Sequence, residues 1–237
     1  MTRRKLGQHY LVDQSVIKRL VAHAGVRAGE RVLEIGTGKG ALTKELSNVA
    51  SRLEAYEVDE ENYRSTQAAV ARGKVALHLA DAFQEKPRFD VLVTSLPYSR
   101  SSSFVEWIAQ LNYVRGLVVL QEDFVRKLLA HPGHREYRAI SVISQVSTEI
   151  SVVERVPRSA FSPQPRVNSV AVMLRPKRRL TVNEMRAIKK LFALRRREVR
   201  AAVANLGGSP TVDYGHRRVY ALSPEEALDL AVGLQGR

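Results

Sequence analysis

The sequence predicts an α/β protein: a mainly parallel sheet with helices on both faces, followed by a small helical domain. Three observations carry this expectation. Up to Leu174, short β-rich runs alternate with helical stretches, the order that lays strands side by side through crossover helices. The first strong strand runs straight into a glycine-rich turn, Gly36-Thr-Gly-Lys-Gly40. Beyond Pro176 the β-rich runs stop, and basic helical sequence takes over.

The elements follow in order. Arg31 to Ile35 is an apolar strand, Ala41 to Val49 a helix, Leu53 to Val58 a strand and Glu60 to Ala71 a helix. Val75 to Ala80, Asp90 to Ser95 and Gly116 to Gln121 are further strands, with Ser102 to Leu111 and Asp123 to Leu129 as helices. Ser141 to Val153 and Ser169 to Leu174 read as β-rich and bracket the loop Phe161-Ser-Pro-Gln-Pro165. Pro176 and the basic Lys177 to Arg179 mark a boundary, so residues 1–176 and 177–237 are expected as two domains. The second holds helices at Val182 to Leu194, Glu198 to Leu206 and Pro224 to Leu234. The last opens on a capping box, Ser223 with Glu226. No internal repeat is visible.

Composition narrows the function. A chain of 237 residues accommodates one large domain and one small one. It is long enough to bury a core without staples. At 44% hydrophobic and 26% charged it is a folded chain rather than a disordered one. There is no cysteine, which excludes disulfides, thiolate nucleophiles and cysteine-ligated metals, and the six histidines are scattered, so no metal site is expected. No apolar run approaches the roughly 20 residues of a membrane span. The basic start, Arg3 to Lys5, leads into Gly7 and Gln8 rather than an apolar stretch, unlike a secretory signal. A cytoplasmic protein with no membrane partner is expected. The net charge of +14 attracts polyanions, nucleic acid first among them. From Arg175 to Arg237 there are 14 Lys and Arg against 6 Asp and Glu, so this stretch carries +8 of the total.

In an α/β sheet, ligands bind outside the carboxyl ends of the strands, near the switch in strand order. The turn Glu34-Ile-Gly36-Thr-Gly38-Lys-Gly40 is expected there. Its Gly-x-Gly-x-Gly spacing is not the Gly-x-Gly-x-x-Gly that cradles a pyrophosphate, and Glu34 stands two places before the first glycine. A cationic ligand without phosphates suits this better than NAD, which disfavours an oxidoreductase. Glu57 closes the next strand, where a carboxylate accepts ribose hydroxyls. Asp81 follows the third, where it accepts from an adenine amino group. Each alone is equally a helix cap. Together, ribose, adenine and a tolerated positive charge point to S-adenosylmethionine.

The strand before Pro97 ends Thr94-Ser95-Leu96-Pro97-Tyr98. Taken alone this is equally a proline turn with a packing tyrosine. It matches the Asn/Asp/Ser-x-Pro-Tyr/Phe signature of methyltransferases acting on exocyclic amines of bases. An adenine amine is a poor nucleophile because its lone pair is delocalised into the ring. Accepting its two hydrogens, at the Ser95 side chain and a backbone carbonyl near Leu96, localises that pair toward a methyl donor. Tyr98 would stack on the base.

Further blocks make the resemblance specific. Lys5-Leu-Gly-Gln-His-Tyr-Leu-Val-Asp13, Gln121-Glu122, Phe161-Ser-Pro-Gln-Pro-Arg-Val-Asn-Ser169, Leu191-Phe-Ala-Leu-Arg-Arg-Arg197 and Arg218-Val-Tyr-Ala-Leu-Ser-Pro-Glu-Glu226 occur in family order. They resemble the rRNA adenine dimethyltransferases of the KsgA type, in an archaeal-like form, from Lys5 to about Leu230. The resemblance implies a Rossmann-like class I methyltransferase sheet with a small C-terminal helical domain. It implies S-adenosylmethionine held by Gln8, Tyr10, Leu11, Gly36, Gly38, Glu57, Asp81 and Ser95, and chemistry at Ser95, Leu96, Pro97 and Tyr98. Phe161 would stack on the other face of a flipped-out adenine; without the family it reads as a core residue. The implied substrate is two adjacent adenosines in the 3′-terminal hairpin of small-subunit rRNA, each dimethylated, within a ribosomal assembly intermediate. Nothing in the chain demands a partner subunit, so a monomer is expected. Arg195, Arg196, Arg197 and Arg200 would hold rRNA phosphates, where the bland alternative is a solvated helix face. Related enzymes conferring macrolide resistance act on large-subunit rRNA. The Arg-Arg-Arg block and the Ser-Pro-Glu-Glu ending favour the small-subunit branch.

One position departs from the pattern. The family usually has Asn where this chain has Ser95, whose hydroxyl is shorter and a weaker acceptor than an amide carbonyl. Serine serves there in some DNA amino-methyltransferases. The alternative function is a small-subunit assembly factor that binds immature rRNA and methylates weakly or not at all.

Overall fold

A computed structural model describes residues 8–71, 73–209 and 212–234. The basic Arg3 to Lys5 and the first three residues of the N-terminal block, Lys5 to Gly7, lie outside the described residues.

The described chain begins with a two-residue strand, β1 (Tyr10–Leu11), and a helix, α1 (Gln14–Ala24). Asp13 caps α1, its Oδ1 accepting the backbone N–H of Ser15 at 2.9 Å and of Val16 at 3.2 Å. The helix stops at Gly25, whose φ of 56° only glycine adopts cheaply. Then come β2 (Arg31–Ile35), α2 (Ala41–Val49), β3 (Arg52–Glu57), α3 (Glu60–Ala69), β4 (Val75–Leu79) and β5 (Val91–Ser95). The chain continues through α4 (Ser101–Ile108), β6 (Arg115–Gln121), α5 (Glu122–Leu128), α6 (Ala139–Ser147), β7 (Thr148–Val156), β8 (Phe161–Ser162) and β9 (Ser169–Pro176). Three helices follow, α7 (Val182–Ala193), α8 (Val199–Asn205) and α9 (Pro224–Gly233).

Seven strands form one sheet in the order β4-β3-β2-β5-β6-β9-β7. The neighbours from β4 to β6 pair parallel, and β9 joins β6 antiparallel. β2 has β3 on one side and β5 on the other, so the winding reverses between β2 and β5. That reversal opens a crevice at their carboxyl ends. Gly36 follows one strand and Leu96 the other. Thr94 Oγ1 donates to Ile35 O at 2.6 Å and joins the two ends, while Gly36 N–H donates to Tyr56 O at 2.8 Å and ties the end of β2 to β3.

Two elements differ from expectation. The stretch expected as β-rich from Ser141 to Val153 is α6 followed by β7. Its β-branched residues Val142, Ile143 and Val146 are buried. Its serines bond back to helix carbonyls, Ser144 Oγ to Ser141 O at 3.0 Å and Ser147 Oγ to Ile143 O at 2.7 Å. Burial and local hydroxyl bonding override strand propensity here. Phe161 and Ser162, read as loop, pair antiparallel with β1 in the register Leu11↔Phe161 and Tyr10↔Ser162.

The chain forms two compact units. One contains the described residues up to Ser101 with Asn112–Glu122 and Ile150–Arg175; the other contains Ser102–Leu111, Asp123–Glu149 and the described residues from Pro176 onward. The last passage between them falls between Arg175 and Pro176. The helical unit also draws in two earlier segments: α6 packs with α7 and α9, and Ala109 O, just past α4, accepts from Leu180 N–H at 2.8 Å. Tyr137, fully buried, meets Phe192 edge-on at 5.5 Å in that core.

Candidate active site

A cavity of about 340 Å³ opens in the first unit at the crevice, bounded by the turns after β2, β3 and β5 and by Asp81 after β4. Gln8, Tyr10, Leu11 and Gly36 line it, and so do Gly38, Glu57, Asp81 and Ser95. The structure therefore brings all eight residues expected around a cofactor to one space.

The floor is the glycine turn. Gly38 has φ 56°, and a Cβ there would lie 2.8 Å from the Tyr10 ring. Gly40 has φ 82°, and a Cβ would lie 2.9 Å from the Thr66 Cα. Only glycine gives this conformation and this closeness. The Tyr10 hydroxyl donates to Gln8 Oε1 at 2.9 Å, which orders the N-terminal segment over the turn.

Three carboxyl groups face the space, each in a different setting. Glu57 is buried, its Oε1 accepting from the N–H groups of Val58 and Asp59 at 2.9 Å each and its Oε2 from Gly38 N–H at 2.8 Å. It thereby locks the glycine turn to the end of β3. Asp81 Oδ1 accepts from Phe83 N–H at 3.0 Å and Oδ2 from Arg100 Nη2 at 2.7 Å. Glu34 is 1% exposed, and its Oε2 has no hydrogen-bond partner among the described residues. Burial pushes its carboxyl up to about 8, and the Glu57 charge adds to the effect.

Ser95, Leu96 and Pro97 line the same cavity, and Pro97 leads into a single turn of 3-10 helix at Tyr98–Arg100. Tyr98 is not in the cavity lining. Its hydroxyl shares a 2.6 Å hydrogen bond with Ser169 Oγ, and its ring lies 5.5 Å from the His9 ring. Burial raises the Tyr98 hydroxyl above its ordinary value, while the Ser169 bond works against this. His9 Nδ1 lies 2.8 Å from Pro163 O, so the tyrosine is flanked by the N-terminal segment and the proline loop.

Phe161 corrects an expectation. It is 3% exposed and belongs to the core with Leu11, Val156, Ala160 and Ala171. Pairing with Leu11 turns its ring inward, so no face is open to a base in this arrangement; the core alternative is the one observed.

Arg195, Arg196 and Arg197 lie in the turn between α7 and α8, not on a helix face. Backbone bonds pin the turn: Tyr220 N–H donates to Arg195 O at 3.0 Å and Val219 N–H to Arg197 O at 3.0 Å. Arg196, Arg197 and Arg200 are exposed. Arg195 is half-buried, and burial, then the neighbouring Arg138 and Arg196 charges, lower its basicity.

Sequence reasoning did not select Val58, His9, Arg100 or Ser169, and it placed Glu34 beside the glycine turn without counting it among the residues that hold the cofactor. Val58 is 66% exposed and lines the cavity, an apolar wall facing open space. Its one signal was its position after Glu57. Among the described residues no helix is long and apolar enough to cross a membrane.

The profile of the ribosomal RNA adenine dimethylase family matches residues 1–229. A protein of Thermococcus gammatolerans named probable ribosomal RNA small subunit methyltransferase A is 35% identical, over 98% of this chain and 89% of its own. A ribosomal RNA small subunit methyltransferase A of Thermotoga petrophila is 34% identical, over 74% of this chain and 68% of its own. Among solved structures, a dimethyladenosine transferase from Plasmodium falciparum shares the fold with a TM-score of 0.79, at 21% identity over 96% of this chain and 98% of that one. With the family profile over nearly the whole chain and relatives of this identity and coverage, the chain belongs to the ribosomal RNA adenine dimethylase family.

Proposed function

We propose that the protein is an S-adenosylmethionine-dependent methyltransferase that dimethylates the exocyclic amines of two adjacent adenosines in the 3′-terminal hairpin of small-subunit rRNA. It acts in the cytoplasm as a monomer on an assembling small subunit. The observation that carries this is the joining, in one cavity, of the glycine turn, Glu57 and Asp81 with the Ser95-Leu96-Pro97 strand end.

The residues present fit the cofactor. Gly38 lets the turn lie directly against the Tyr10 ring at the cavity wall, where a Cβ would collide at 2.8 Å. Glu34, buried with an unpartnered oxygen, suits a ligand bearing positive charge. Glu57 accepts the ribose hydroxyls, Val58 packs on the adenine face, and Asp81 accepts from the adenine amine. The bound cofactor supplies a methyl group on a cationic sulfur.

The chain's own residues then prepare the nucleophile. Ser95 and a backbone carbonyl near Leu96 accept the two hydrogens of the target amine, which localises its lone pair and aims it into the cavity. Tyr98, with its hydroxyl held by Ser169, stacks on the base, worth roughly 1–3 kcal/mol. Phe161 supports this from within the core, fixing Leu11 and the N-terminal segment. The methylated ammonium is acidic and sheds its proton to solvent, so no strong base is required. Catalysis is orientation and electrostatics. The turn Arg195 to Arg197, with Arg200, binds rRNA phosphates.

Ser95 in place of the usual Asn favours a second reading, a binding factor with weak or lost methylation. Transfer of labelled methyl groups to small subunits lacking these modifications separates the two. Wild-type protein is expected to transfer label and Ser95→Ala to lose most of it; full transfer by Ser95→Ala would remove the assigned role of the hydroxyl.

A further inference from the structure

Asp81 stands in a loop after β4, with its side chain 30% exposed, and a carboxylate there would ordinarily turn freely. Two donors prevent it: Phe83 N–H holds Oδ1, and Arg100 Nη2 holds Oδ2. Each oxygen has its own donor, so the plane of the group is set. Arg100 reaches Asp81 from the turn that continues the Ser95-to-Tyr98 motif, its own N–H bonded to Pro97 O at 2.9 Å. Its guanidinium also lies 4.6 Å from the centre of the Phe83 ring, the spacing of a cation–π stack. Arg100, Asp81 and Phe83 all line the cavity. An ion pair this exposed contributes little to stability, so its consequence lies in geometry.

We propose that Arg100 is a cofactor-positioning residue: stacked on Phe83 and bonded to Asp81, it fixes the carboxylate that reads the adenine amino group. This deepens the cofactor reading above and rests on it. The segment that presents Ser95 to the target amine thereby also sets the adenine acceptor, so the two ends of the reaction are registered through one short turn. A lysine at this position could pair with Asp81 but could not stack as a plane on Phe83.

The test is calorimetric binding of S-adenosylhomocysteine and of its analogue with hydrogen in place of the 6-amino group, to wild type, Arg100→Met and Arg100→Lys. The neutral sulfur of both ligands keeps the arginine's charge from confounding the result. Arg100→Met is expected to weaken S-adenosylhomocysteine about tenfold and Arg100→Lys to recover part of the loss. The analogue lacking the amine is expected to bind wild type and Arg100→Met alike. Equal binding of S-adenosylhomocysteine by wild type and Arg100→Met overturns the proposal, as does an equal loss for both ligands, which would mark general damage to the pocket. Failure of wild type to bind either ligand would instead overturn the cofactor reading on which it rests.

Discussion

Glu34 makes the energetics of the pocket measurable. Its carboxyl is held at about 8 against an ordinary 4.5 because it is buried beside Glu57. Below pH 4.5 it is protonated folded and unfolded alike, and contributes nothing. Between 4.5 and 8 the unfolded chain ionises while the folded one keeps its proton, so stability falls as pH rises. At about 1.4 kcal/mol per pH unit the full penalty above pH 8 is about 5 kcal/mol. Roughly 3 kcal/mol of this accrues between pH 5.5 and 8.5. Glu34→Gln keeps the shape and abolishes the titration. Its buried amide costs about 1–3 kcal/mol at every pH, so the slope is the readout rather than the absolute stability. Urea unfolding of both proteins across this range is expected to show the wild type losing about 3 kcal/mol relative to Glu34→Gln. A cationic cofactor draws the carboxyl back toward ionisation, so wild-type binding should tighten as pH rises toward 8, and Glu34→Gln should lose that trend. Parallel unfolding profiles for the two proteins would mean that Glu34 keeps an ordinary carboxyl in the folded chain.

Three further outcomes are expected. Gly38→Ala forces a left-handed residue and a Cβ 2.8 Å from the Tyr10 ring, so cofactor affinity measured by calorimetry should fall about tenfold while the circular dichroism spectrum is kept. Tyr98→Phe loses only the Ser169 bond, worth about 1 kcal/mol, whereas Tyr98→Ala loses the stacking surface as well. Single-turnover methyl transfer should therefore fall far more for alanine than for phenylalanine. Removing Arg196 and Arg197 together should weaken small-subunit binding and flatten the dependence of log affinity on log salt, by about one unit of slope for each phosphate no longer neutralised, read by filter binding over a salt series.

Much of this architecture is legible in residue order, for identifiable reasons. The strands at Arg31–Ile35 and Val91–Ser95 are short apolar runs ending at glycine or proline, and their signals do not depend on distant partners. The glycine turn and the carboxylates at strand ends are legible because strand order in this topology places strand ends at one crevice. α6 was not, since Val142, Ile143 and Val146 carry strand propensity and only packing in the helical unit selects the helix. Phe161 was misplaced because a motif shows which residue follows which, not which way a ring turns once Leu11 pairs with it. Arg100 was invisible because its partner, Asp81, is 19 residues away in sequence and reached only through the fold. The arginine run was legible as charge but not as a turn, since its shape is set by backbone bonds to Val219 and Tyr220.

On the proposed function, this strand end, with serine at position 95, dimethylates adenosine in rRNA. The most direct test incubates wild-type protein and S-adenosylmethionine with small subunits lacking the modification, then identifies the modified nucleosides and their positions by mass spectrometry. Dimethyladenosine at two neighbouring positions of the 3′-terminal hairpin is the expected result. Unmodified adenosines on subunits that the protein still binds in a salt-sensitive manner would contradict it and leave a binding factor in its place.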